Sequence, residues 1–304
     1  MRVFVTGASG HIGSVVVREL LQAGHEVVGL ARSDSSAVAI RAAGAEALRG
    51  DLDDLDSLRR GATAADGAIH LAFGHDRGDF AAAAATDLRA IETIGAVLEG
   101  SGKPFVSTSG TLMLAFGGPL GRPGTEHDAV ETEPLPPRVA SENTAVALAS
   151  HGVRSSVVRL PPTTHGPEDH HGFVPRLIGI ARDKAVCAYV GDGVNRWPAG
   201  HELDAARLYR LALEAAPAGS RLHAVGDEGI PFRTIAEAIA RQLDLPVVSI
   251  PAEEAEAHFG FLGALVQLDN PTSSALTQQL LPWHPTHPTL GEDLSEGHYF
   301  KRDS

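Results

Sequence analysis

The segment Thr6-Gly7-Ala8-Ser9-Gly10-His11-Ile12-Gly13 places glycines at 7, 10 and 13, directly behind the apolar run Val3-Phe4-Val5. Gly7 permits a tight turn, Gly10 lets backbone approach a pyrophosphate, and Gly13 allows a helix to pack closely on a strand. A phosphate held there meets the free N–H groups of the helix N-terminus. The competing reading is a glycine turn with no ligand; strand, turn and helix in register stand against it. Thr6, Gly7, Ser9, Gly10, His11, Ile12 and Gly13 are therefore read as a dinucleotide-binding loop. The end of the second apolar run selects the dinucleotide. NAD sites place an acid there for the ribose 2′-hydroxyl, whereas an arginine accommodates a 2′-phosphate. Leu30-Ala31-Arg32-Ser33 offers a guanidinium and a hydroxyl, with no acid before Asp34. NADP is expected over NAD, with a solvated strand-end arginine as the alternative.

His165-Gly166-Pro167-Glu168-Asp169-His170-His171 gathers imidazoles that titrate near neutral pH beside two carboxylates. Substrate contact, acid catalysis and a solvated polar loop are all open to it. The spacing matches no helical ligand motif, so no metal is expected. The lone Cys187 excludes an intramolecular disulfide and a cysteine metal cluster. A formal net charge of −13 repels phosphate backbones and anionic lipid, so neither nucleic acid nor membrane is an expected partner. An anionic ligand must then be held by local donors. A strand starting at Arg2 leaves no room for a signal peptide, and no apolar stretch reads as a span. A cytoplasmic location is expected.

The elements that position these groups alternate in type. Val3-Phe4-Val5, Val27-Val28-Gly29-Leu30, Ala68-Ile69-His70-Leu71 and Phe105-Val106 read as strands, with a weaker one at Ala45–Arg49. Between them Ile12–Ala23, Ser33–Ala43, Leu55–Ala62 and Phe80–Glu99 read as helices. Arg138–Ser150 follows as a helix and Ser156–Leu160 as a sixth strand. Near-continuous apolar strands joined by helices predict an α/β fold, a Rossmann-type doubly wound parallel sheet. Beyond Pro161 the rhythm breaks: helices are expected at Phe173–Ala185, Ala205–Ala216 and Ile235–Leu243, and a strand at Arg221–Val225. The division expected is a dinucleotide-binding domain over 1–162, to which 201–226 returns, with a smaller mixed α/β substrate lobe from 163–200 and 227–304.

Together these motifs resemble the extended short-chain dehydrogenase/reductase family, which includes NAD-dependent epimerases and dehydratases. The glycine loop is similar to that family's phosphate loop, and Gly50-Asp51-Leu52 to its adenine-contacting turn. His70-Leu71-Ala72 resembles the segment that passes under the cofactor. Ser107-Thr108-Ser109 ends the fifth strand where the family carries its catalytic serine. The resemblance thus implies Ser109 as a catalytic residue with Thr111 nearby, and adds Asp51, Leu52, Leu71, Ala72, Phe73, Thr108 and Pro161 to the cofactor contacts. Gly166-Pro167 resembles a family turn, which places His165 near the substrate as a candidate acid, ahead of His170. Arg196, Trp197 and His201 fall where such enzymes close over substrate. There Arg196 would bind a carboxylate or phosphate and Trp197 would stack on a ring, with lobe packing as the alternative.

The resemblance stops at the family's Tyr-x-x-x-Lys, whose register holds Arg138-Val139-Ala140-Ser141-Glu142. Arg138 and Glu142, one helical turn apart, are expected to form an i,i+4 ion pair. The pattern is that of an atypical branch of the family. The expected function is NADP-dependent hydride transfer to a small ketone or aldehyde, or from the alcohol. The alternatives are a sugar-nucleotide epimerase or dehydratase, and a non-catalytic NADP-binding redox sensor. A homodimer through the helices starting at Phe80 and Arg138 is a further possibility.

Overall fold

The computed structural model describes residues 1–74, 79–117, 121–130 and 137–301. Strand β1 (Arg2–Thr6) buries Val3, Phe4 and Val5 completely. Val3 and Val5 face the core shared with helix α1 (His11–Gln22), and Phe4 faces the core on the other side. A strand covered on both faces needs such a continuous apolar run. Strict alternation continues through β2 (Glu26–Ala31), α2 (Asp34–Ala42), β3 (Glu46–Arg49), α3 (Leu55–Thr63), β4 (Gly67–His70), α4 (Phe80–Leu98) and β5 (Pro104–Gly110). Ser33, Asp54 and Asp79 start α2, α3 and α4 by accepting hydrogen bonds from first-turn amides.

A short α5 (Leu112–Ala115), α6 (Pro137–Ala147) and β6 (Arg154–Leu160) lead into β7 (Thr163–His165), α7 (Phe173–Lys184), β8 (Cys187–Val190) and β9 (Arg196–His201). Next come α8 (Glu202–Ala215), β10 (Ser220–His223), β11 (Asp227–Pro231), α9 (Phe232–Leu243) and β12 (Val247–Ile250). The chain ends with α10 (Ala255–Phe259), α11 (Ala275–Leu280) and α12 (Leu290–Glu296). Among the described residues, seven strands form one parallel sheet in the order β10-β6-β5-β4-β1-β2-β3. This is the expected doubly wound, Rossmann-type sheet. The order reverses between β1 and β4, where Thr6 and His70 stand in register, and that switch point opens a crevice at the strands' carboxyl ends.

Helix α8 packs on α1, and β10 extends the sheet beside β6. A second core gathers Trp197, Phe232 and Phe259 under α7, α9 and α12. It carries the small sheet β11-β9-β7 and the pair β12-β8, short strands that the broken rhythm after Pro161 did not announce. Part of the stretch 227–304 packs on the first core: Leu281 and Trp283 lie in it, and Trp283 Nε1 donates to the Asp204 carbonyl at 2.8 Å. Helix α8 starts at Glu202 rather than Ala205, because His201 Nδ1 accepts from Leu203 N at 3.2 Å and caps it.

Candidate functional site

The glycine loop lies at the crevice. Gly7 has φ +71°, and a Cβ there would fall 2.7 Å from the Ala72 backbone nitrogen. A Cβ on Gly13 would lie 1.9 Å from the Gly7 carbonyl oxygen, so a side chain at either position would break the turn. Gly10 N donates to Gly7 O at 3.0 Å, and Gly10 precedes α1 with no side-chain cap and no acid in the first turn. The first-turn amides of this 12-residue helix carry no side-chain cap, and an added Cβ at Gly10 would meet within 4 Å only the Gly7 carbonyl oxygen. That geometry fits a pyrophosphate. Ser9 is exposed on the loop, and Ile12 packs against the first core. The His11 ring turns to α8, with Nε2 2.8 Å from Glu202 Oε2 and Nδ1 3.6 Å from Asp169 Oδ1. Burial pushes the Asp169 carboxyl above its ordinary range. Tyr299 Oη donates to Asp169 Oδ2 at 3.1 Å and accepts from Gly166 N at 3.0 Å. Burial likewise raises this phenol, which stays protonated.

A buried relay crosses the switch point. Thr6 Oγ1 accepts from Leu71 N at 3.2 Å and Ala72 N at 3.3 Å, so its own proton goes to His70 Nδ1 at 2.7 Å. The network then assigns the His70 proton to Nε2, which donates to Asp87 Oδ1 at 3.1 Å. Burial disfavours the Asp87 carboxylate, but the His70 hydrogen bond and the nearby Arg138 outweigh it and hold its pKa below the ordinary range. The segment under the crevice is thus fixed to β1 and α4 by side chains.

The carboxyl end of β5 supplies the other groups. Thr108 Oγ1 donates to the His70 carbonyl at 2.7 Å and meets Tyr209 Oη at 2.8 Å. Ser109 is buried, and its Oγ makes no hydrogen bond of ordinary geometry among the described residues, though it lies near enough to Glu142 to help hold that carboxylate down. The Arg138 guanidinium lies 4.0 Å over the Phe73 ring, and Nη2 donates to the Thr108 carbonyl at 3.2 Å. The expected Arg138–Glu142 pair does not form. Glu142 instead takes Arg159 through Nε at 3.0 Å and Nη2 at 2.5 Å, and Arg221 through Nε at 2.8 Å. Arg159 is itself buried and among the described residues pairs with no other carboxylate, so the interior charge outcompetes the neighbour on the helix. Burial penalises the Glu142 carboxylate, yet the Arg159 contact holds it down at about 2.

Several sequence expectations change here. Thr111 is fully buried and bound to Asn270, donating to Oδ1 at 3.1 Å and accepting from Nδ2 at 3.0 Å, so its role is to fasten the strand end. His165 is fully buried, with Nδ1 tied to Asp293 Oδ2 at 2.8 Å and Nε2 without a partner among the described residues. His170 is exposed. Arg196 spends its fork on Asp269, at 3.0 and 2.8 Å, rather than on a ligand. Trp197 is enclosed between Phe173 and Phe232 and packs the second core instead of stacking on substrate. His201 caps α8 and stacks on His287. Around the crevice, Arg32 is exposed after β2, and Ser33 accepts from Ser36 N at 3.1 Å. Asp51 accepts from Asp53 N at 3.0 Å, Leu52 closes the second face's core, and Pro161 is buried after β6.

The model described as the NAD dependent epimerase/dehydratase family matches residues 3–225, the stretch from β1 through β10. The chain belongs to the NAD-dependent epimerase/dehydratase family. This family member is an NAD(P)-dependent enzyme of oxidoreductase or epimerase type. It is similar to an uncharacterised protein of Schizosaccharomyces pombe, 53% identical over 99% of this chain and 100% of that one. It is also similar to a 4-hydroxy-2-methyl-3-oxo-4-farnesyl-3,4-dihydroquinoline-1-oxide ketoreductase of Stigmatella aurantiaca, 26% identical over 86% of this chain and 80% of the relative. In fold it matches the dTDP-glucose 4,6-dehydratase DesIV of Streptomyces venezuelae, solved with NAD bound. That match has a TM-score of 0.76 at 21% identity, covering 98% of this chain and 96% of DesIV. Among the described residues no helix is long and apolar enough to cross a membrane. Sequence reasoning missed Asp87, Tyr209, Glu202 and Tyr299 within this family member's crevice. The signal for Asp87 lay in His70, a titratable residue inside an apolar strand that had to find a partner.

Proposed function

We propose that this enzyme uses NADPH to reduce a small ketone or aldehyde, or runs the reverse oxidation. The observation that carries the reading is Ser109: a buried hydroxyl at the carboxyl end of β5 that makes no hydrogen bond of ordinary geometry among the described residues, with the Glu142 carboxylate nearby. Ser107, Ser141, Ser155 and Ser156 are also buried without a partner among the described residues, so what singles out Ser109 is its place at the carboxyl end of β5, the end at which ligands bind in such sheets. The reduced nicotinamide, when bound, supplies a hydride. Ser109 Oγ–H then donates to the substrate oxygen as negative charge builds on it. The loop amides of Gly7 to Gly13 would hold the pyrophosphate, and Arg32 the 2′-phosphate. The ketoreductase activity named for the Stigmatella relative supports a carbonyl substrate.

The test is NADPH oxidation against a panel of ketones and aldehydes. Turnover of at least one member is expected, with Ser109→Ala lowering kcat by roughly 10²-fold. Wild-type enzyme that binds NADPH tightly but turns over nothing overturns the reading. Undiminished turnover in Ser109→Ala removes the serine from it.

A further inference from the structure

The guanidinium of Arg138 is the one feature of the crevice that neither the sheet nor the cofactor loop explains. It is half-buried, yet among the described residues no carboxylate stands within ion-pair distance of it. Arg159 and Arg221 share Glu142, and Arg210 takes Glu19 and Glu214, whereas Arg154, like Arg138, bonds carbonyls alone, those of Leu213 and Ala216. Arg138 has a ring face, the Phe73 plane at 4.0 Å, and one carbonyl, Thr108 O at 3.2 Å. Its Nε is buried without a partner, and no hydrogen bond within the described residues engages Nη1. The Asp87 carboxylate acts on this cation from beyond ion-pair distance, but Nε and Nη1 make no hydrogen bond within the described residues, and buried donors left so are kept for an acceptor that arrives later. The anchoring carbonyl belongs to the residue immediately before Ser109. The ring and the carbonyl fix the plane of the guanidinium, so its unspent N–H groups are pre-aimed.

We propose that Arg138 is a catalytic residue that binds and polarises the substrate's carbonyl oxygen, acting with Ser109; this rests on the reduction reading above. As hydride from the reduced dinucleotide bonds to the carbonyl carbon, the carbon–oxygen π pair moves onto oxygen. The alkoxide takes the Ser109 proton, and water restores that proton to Ser109. The dinucleotide is oxidised, the carbonyl is reduced, and Arg138 gives up no proton, because a guanidinium stays charged throughout. Its contribution is the positive field and a fixed N–H aimed at the new charge. The substrate class that suits this pair is an uncharged carbonyl compound whose oxygen becomes anionic only during reaction.

The test uses the full chain with Arg138→Gln and Arg138→Ala, and three readouts. Steady-state kinetics use the best carbonyl of the panel. Fluorescence titration reports NADPH affinity. Calorimetric titration of butyramide, an unreducible carbonyl, into NADPH-saturated protein reports oxygen binding without turnover. Both variants are expected to lose 10²- to 10³-fold in kcat with NADPH affinity unchanged. Butyramide affinity should fall at least about tenfold, and added guanidinium ion should restore part of the Arg138→Ala rate. If Arg138→Ala does not fold, the near-isosteric Arg138→Gln decides. Wild-type kcat and butyramide affinity in Arg138→Gln overturn the proposal, as does a loss of NADPH affinity that accounts for the lost rate. If wild-type enzyme reduces no carbonyl, the reduction reading fails by itself. Butyramide binding that requires Arg138 then still supports the oxygen site, and its absence from wild type overturns it.

Discussion

Arg32 follows directly on β2, exposed at the carboxyl edge of the sheet with the capped start of α2 behind it. A guanidinium there matches a 2′-phosphate bidentately, and charge-assisted bonds of that kind contribute about 1.5–3 kcal/mol. Arg32→Ala is therefore expected to weaken NADPH binding roughly 10- to 100-fold and to leave NADH almost unaffected, read by cofactor fluorescence titration. Equal wild-type affinities that the substitution does not change would remove the NADP preference. The place of Arg32 directly after β2 was legible because the second apolar run of the sequence stops there. Side chains whose partners lie far along the chain were not. Nothing adjacent in sequence shows that Glu142 turns from Arg138 to Arg159 and Arg221, or that Asp293 claims His165. Spacing along a helix proposes a partner, but burial decides among partners that only the fold assembles.

At the scale of elements, the loop–helix junction admits no side chain at Gly13, where a Cβ would sit 1.9 Å from the Gly7 carbonyl oxygen. Gly13→Ala must push α1 off β1, a strain of about 1–3 kcal/mol. The expected result is a lower Tm together with lost NADPH binding. A variant with wild-type affinity would show that the loop yields without consequence. The elements up to Leu160 could be read because each carries its own periodicity and its own stop signals. Five predicted helices begin or end within a residue or two of those observed. The short strands β7, β8, β9, β11 and β12 could not, because β7, β9 and β11 carry Thr, His, Gly and Pro in place of an apolar run, and β8 and β12 pair only with each other. Their pairing is set by the second core.

The charge cluster beneath β6 and β10 contributes to the acid sensitivity of the whole molecule. Burial pushes His223 from an ordinary 6.5 down to about 4, and Arg159 adds to the shift. The unfolded chain therefore takes up a proton between those values that the folded one refuses, and stability falls as pH drops through that window. Glu142, ordinarily 4.5 and held at about 2, extends the loss below pH 4.5 with the same sign. Each proton so discriminated is worth about 1.4 kcal/mol per pH unit. Asp169, raised by burial, acts in the opposite direction at the loop. Urea midpoints should fall steadily from pH 6.5 downward. Glu142→Gln should lower the midpoint at neutral pH, because Arg159 and Arg221 lose their anion, and should flatten the decline below pH 4.5. A midpoint independent of pH below 6.5 would show that these groups are paired equally well in the unfolded chain.

The anchoring of His11 also bears on how the molecule is assembled in time. Its carboxylate Glu202 lies 191 positions further along, and Tyr299, which steadies Asp169, lies 130 beyond that aspartate. A growing chain that has already emitted β1 and α1 holds the glycine turn with its imidazole untethered. The pocket written first in the sequence is among the last to be finished, and it completes only when the far segment of the polypeptide comes back to meet it.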